Sequence, residues 1–128
     1  MVRTLSALLA LIMGGNGLAM LFAGLWWYGA VPGVTATGPF NPHFVRDIGA
    51  EYLVLGASLA MFAWRPREAW PAVCAAAAFL TLHAAIHVFD AVCGSRPLAD
   101  AARDFGGIYL PALITVAFAI RKPAERSL

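Results

Sequence analysis

The absence of charge over long stretches constrains this chain more than any motif in it. Between Arg3 and Arg46 there is no Asp, Glu, Lys or Arg. The run from Leu5 to Trp27 is long enough to cross roughly 30 Å of hydrocarbon as a helix. A second apolar run extends from Ile48 to Trp64, interrupted only by Glu51, a third from Pro71 to Phe89 and a fourth from Phe105 to Ile120. Breakers and charges bound them: Pro32-Gly33, Arg65-Pro66-Arg67, Gly94-Ser95-Arg96-Pro97 and Arg121-Lys122-Pro123. A bilayer offers backbone groups no partners, so runs of this kind are expected to be helices.

Composition agrees. Apolar residues make up 61% of the 128 positions and charged residues 12%, against about 45–50% and about 25% in ordinary soluble domains. This argues against a disordered chain, a soluble enzyme of this size and a basic nucleic-acid-binding face. The net charge of +2 is too small to suggest a polyanionic partner. The prediction is an all-α protein: a four-transmembrane-helix bundle forming one integral membrane domain over residues 1–128. Its helices are expected at about 4–30, 42–64, 70–93 and 98–121. The first apolar run extends past the length of a signal-peptide core, so it is read as a retained helix.

Lys and Arg placement sets the expected orientation. With four spans, Arg3, Arg65, Arg67, Arg121, Lys122 and Arg126 fall on one side and Arg46, Arg96 and Arg103 on the other. Both termini are therefore expected in the cytoplasm, with Trp26, Trp27 and Tyr28 at the outer interface and Trp64 and Trp70 at the inner one. The expected location is a bacterial inner membrane, crossed several times. Cys74 and Cys93 lie nineteen residues apart, roughly 28 Å along a helix, and cannot pair within one chain.

Under this threading the unusual polar residues collect in the outer half. Asn41-Pro42 is a helix start, Asn as cap and Pro in the first turn. His43, Asp47 and Glu51 follow at four-residue spacing and share a stripe. His83, His87 and Asp90 share another face, and Asp100, Arg103 and Asp104 open the last helix. Ionisable groups at membrane depth are costly, roughly 2.5–3.5 kcal/mol each on insertion scales, so they should find partners inside the protein.

Three readings compete. In the first the cluster only locks helices together, Arg46 or Arg103 pairing with Asp47, Glu51, Asp90 or Asp104. The chain would then be a structural subunit of a larger membrane complex. In the second, His83 and His87 hold a metal ion or a haem, with Glu51, Asp90 or His43 completing the ligand set. In the third, a His–carboxylate chain carries protons or lines a small-molecule pathway. The leading expectation is an accessory subunit holding a metal or redox cofactor at His83 and His87. The bilayer, other membrane subunits or further copies of the chain are its partners.

Smaller features carry further expectations. Gly14, Gly15, Gly17 and Gly24 with Ala19 and Ala23 make a small face on the first helix, and Gly49 and Gly56 are packing positions on the second. Asn16 is expected to bond a neighbouring helix, and Gly106-Gly107 to bring the fourth helix close to the polar cluster. Pro111 is expected to kink that helix. The proline-rich connection over 31–47 is expected to be compact, with Phe40 and Phe44 anchoring it.

The Pro-Gly loop after the first helix, the stretch GPFNPHFVRDIG and the four-helix arrangement together resemble the small bacterial inner-membrane proteins grouped with the DoxX-like families. That resemblance implies a link to redox partners and quinone-linked oxidation; it assigns no catalytic residue here.

Overall fold

The helix that begins at Pro42 starts on a side-chain cap, whereas those that begin at Val2, Gly24 and Trp70 start without a side-chain cap hydrogen bond. The computed structural model describes residues 1–94 and 97–122; Arg96 and Arg126, which entered the charge argument, lie outside the described residues. Among the described residues the secondary structure is entirely helical. By its contacts the chain divides into two compact units, Met1–Trp64 and Arg65–Leu128.

The first unit holds helix α1 (Val2–Phe22), the short helix α2 (Gly24–Ala30), a 3₁₀ turn (Val34–Thr37) and helix α3 (Pro42–Trp64). The expected continuous first helix is instead broken at Ala23, whose φ of −134° and ψ of 38° leave the helical region. A hydrogen bond spans the break. Trp27 Nε1 donates to Asn16 Oδ1 at 2.8 Å, so the neighbouring helix that Asn16 bonds is α2, the short helix that follows its own.

Helix α3 begins as its sequence predicts. Asn41 Oδ1 accepts from the backbone N–H groups of His43 and Phe44, both at 3.1 Å, and Pro42 occupies the first turn. The connection ahead of it is tied down by Tyr28, whose hydroxyl donates to the Gly38 carbonyl at 2.6 Å and whose ring sits 5.4 Å from Phe40. Phe44 is no loop anchor: it lies within α3 and is 62% exposed.

Helices α1 and α3 run antiparallel along a seam of glycines. A Cβ on Gly17 would sit 2.7 Å from the Gly49 carbonyl oxygen, and one on Gly56 would sit 2.9 Å from the Gly14 amide nitrogen. Backbone meets backbone there, which only residues without a side chain allow. Ser6 seals one end, its hydroxyl donating to the Leu59 carbonyl at 2.7 Å in full burial.

The second unit holds helix α4 (Trp70–Cys93), helix α5 (Pro97–Asp104), a π-helical turn (Phe105–Tyr109) and helix α6 (Leu110–Ala119). α4 and α6 lie antiparallel, closed at one end by Trp70 Nε1 donating to the Ala119 carbonyl at 2.9 Å, with Lys122 Nζ 5.9 Å from the Trp70 ring centre. The expected single helix over 98–121 is thus three pieces. Polar α5 precedes the apolar stretch, and the π turn joins them, the Leu110 N–H reaching back five residues to the Phe105 carbonyl. Pro111, just beyond, has no N–H to continue an α-type ladder at that point.

α1 and α4 are long and apolar enough to cross a membrane. Neither behaves as the core of a soluble domain, since only 33% and 22% of their apolar windows are buried. Leu11, Phe22, Leu82 and Val92 are each more than two-thirds exposed.

Candidate functional site

The second unit gathers the polar residues that converge. From α4, His87 presents Nδ1 to Asp104 Oδ2 of α5 at 2.7 Å. The other carboxylate oxygen of Asp104 accepts from Arg103 Nε at 2.7 Å, and Arg103 Nη1 donates to Asp100 Oδ1, also at 2.7 Å. One guanidinium therefore bridges two carboxylates, and the better buried of them, Asp104 at 8% exposure, is the one that orients the imidazole.

This arrangement follows from local sequence. His83 and His87 stand one turn apart on α4, their rings 4.8 Å apart and edge-on, with Phe79 stacked 6.1 Å from His83 a turn further in. α5 returns the chain directly after α4, so its last turn, Asp100 to Asp104, meets the last turns of α4. Burial pushes the Asp104 carboxyl up, but hydrogen bonds from Arg103 and His87 outweigh burial and hold it below the ordinary carboxylate range.

A further member was not legible in the sequence. The Tyr109 hydroxyl, at the end of the π turn, is buried and makes no hydrogen bond in the structure. π turns recur at functional sites, but Phe-Gly-Gly-Ile-Tyr carries no sequence signal for one. Gly106 and Gly107 were expected to permit close approach to the cluster; a Cβ on either would meet nothing within 4 Å. Their place in the π turn, not a tight contact, is what they contribute.

The other predicted residues stand apart from this group. Asp90 is exposed, one turn beyond His87. Within the first unit His43 Nε2 and Asp47 Oδ2 approach to 3.4 Å on the exposed start of α3, and Glu51 is exposed one turn on. Arg46 makes no ion pair with any described residue. Of the two arginines expected in the cluster, Arg103 and not Arg46 pairs, because α5 places it beside two acids of its own helix.

Among the described residues no group of three or more His, Cys, Asp or Glu side chains is arranged to hold a metal ion. The proposed set of His83, His87, Glu51, Asp90 and His43 thus has no assembled geometry behind it. Cys74 and Cys93 are both free, Cys93 exposed at the end of α4.

Chemically, a carboxylate on Nδ1 fixes an imidazole in the tautomer that leaves Nε2 as acceptor. Such a couple can take up a proton and pass it on. No protein-family model, no curated protein and no solved structure matches the chain.

Proposed function

We propose that this chain is a multi-pass membrane protein whose Asp104–His87 couple is a proton-accepting site in a proton pathway. It would cross the bilayer four times, through Val2–Ala30, Pro42–Trp64, Trp70–Cys93 and Phe105–Ile120, as a helix bundle with both termini in the cytoplasm. The couple would then lie near the outer face of a bacterial inner membrane. The chain would serve as an accessory subunit that hands protons to or from a larger redox assembly, as the DoxX-like resemblance implies.

One observation carries this reading: the 2.7 Å approach of His87 Nδ1 to a buried carboxylate that is itself held by an arginine. Asp104, held by Arg103 Nε at 2.7 Å, orients the imidazole through Nδ1. His83, edge-on at 4.8 Å, supplies a second imidazole one turn deeper along α4. The pair forms a path of titratable groups along one helix face, which is what proton movement at membrane depth requires.

The same i, i+4 histidine spacing favours a second reading, a metal ion or haem held by His83 and His87. The third, a structural lock within a larger complex, would use the same ion pairs without chemistry.

Proton flux into liposomes carrying the purified protein, driven by a potassium diffusion potential and read with an entrapped pH dye, separates the three. The proton reading expects flux above protein-free vesicles that falls at least about tenfold in His87→Gln and in Asp104→Asn, both still folded by circular dichroism. Stoichiometric metal or a Soret band in the purified protein, without flux, would favour the cofactor reading. Neither flux nor cofactor would leave the structural lock.

A further inference from the structure

The break at Ala23 opens a groove in the first unit. Because Ala23 leaves helical geometry, α2 departs from the line of α1 and a space of about 280 Å³ forms beside the start of α3. Its walls include Met20, Phe22, Leu25, Trp26, Phe40 and Pro42. Gly24 also lines it, and a Cβ there would make ordinary van der Waals contact with Val45 Cγ1 at 3.4 Å and Phe40 at 3.7 Å. One charged side chain lines it, Arg46.

Arg46 lines the groove from an exposed position and makes no ion pair with a described residue. Its sequence neighbour Asp47 approaches His43 instead, at 3.4 Å. The groove continues onto exposed apolar surface: Phe22 is 83% exposed, Leu25 68% and Trp26 67%. A tryptophan and an arginine beside an apolar channel at the end of a membrane-length helix is the arrangement that places acyl chain below and headgroup above. A free anion would satisfy the arginine but leave the apolar walls unoccupied.

We infer that this groove seats an anionic phospholipid, with one acyl chain against Phe22, Leu25 and Phe40 and its phosphate on the Arg46 guanidinium. The site is distinct from the Asp104–His87 couple and does not depend on it.

The test is native mass spectrometry of the full chain, delipidated in detergent and titrated with phosphatidylglycerol or phosphatidylcholine. One phosphatidylglycerol should be retained about fivefold more than one phosphatidylcholine by the wild type and by Arg46→Lys. Arg46→Gln should retain both lipids equally. Gly24→Leu, which fills the groove, should retain neither as a defined single adduct. Equal retention of the two lipids by the wild type, or an undiminished preference in Arg46→Gln, overturns the proposal. Displacement of phosphatidylglycerol by inorganic phosphate alone would also overturn it, by showing a site for the free anion. Circular dichroism of each variant confirms that a lost adduct reports on the groove and not on unfolding.

Discussion

His87 and Asp104, seventeen residues apart, meet at 2.7 Å because α5 folds the chain back across the end of α4. Asp104 also accepts two hydrogen bonds from Arg103, at 2.7 and 3.2 Å, so its charge is held from two sides. A carboxyl whose pKa is lower folded than unfolded contributes stability above the unfolded value, about 3.9, and loses it as the pH falls through the folded one. Asp104→Asn should therefore lower the melting temperature of the detergent-solubilised protein at neutral pH. The gap between wild type and variant should close as the pH drops below about 4. A gap that is constant with pH would mean the carboxylate charge contributes nothing.

The glycine seam predicts a contrast within a few residues of α1. Gly17→Ala sets a Cβ 2.7 Å from a backbone oxygen that cannot swing aside, and should destabilise the first unit by about 1–3 kcal/mol. Gly15→Ala meets nothing within 4 Å and should be neutral or stabilising by up to about 1 kcal/mol through helix propensity. Unfolding by sodium dodecyl sulfate, followed by circular dichroism, distinguishes the two. Equal effects would show that α1 and α3 are not in backbone contact.

Across the break at Ala23, Trp27→Phe removes the donor to Asn16 while keeping an aromatic ring. The loss should be about 0.5–1.5 kcal/mol, and the double variant with Asn16→Leu should recover part of it, because no acceptor is then left unpaired. Non-additivity in that double-mutant cycle is the readout. Strict additivity would mean that the hydrogen bond does not hold α2 to α1.

Ser6 offers a separate check at the other end of the seam. Its hydroxyl is fully buried and bonded to the Leu59 carbonyl, so Ser6→Ala should cost about 1 kcal/mol, and Ser6→Val more, through overpacking. The same denaturation assay ranks the two, and a tolerated valine would contradict the burial of this position.

Much of this architecture was legible, and for identifiable reasons. The bounds of α3 and α4 follow from Asn41-Pro42, Arg65-Pro66 and Gly94, residues that act on the backbone locally. The glycine seam followed from residue size alone. The break falls at Ala23, although alanine is the best helix former; the local signal is the next residue, Gly24, a poor helix former that also serves as a small packing residue. At the site, four-residue spacing put His83 and His87 on one face, but which acid they meet depends on how the chain returns. Asp90 shares their face of α4 in sequence yet points outward, while Asp104 reaches His87 through α5. The orphaned Tyr109 hydroxyl depends on a π turn whose hydrogen-bond register no periodicity argument could supply.

That π turn has a consequence of its own. Each residue inserted into an α-helix advances everything after it by about 100° around the axis. Phe105–Tyr109 therefore acts as a phase shifter between the polar α5 and the apolar α6. Asp104 and Thr115 can both face inward without any compromise in the spacing of the residues between them. The polar end and the apolar end of the segment are thereby free to change independently.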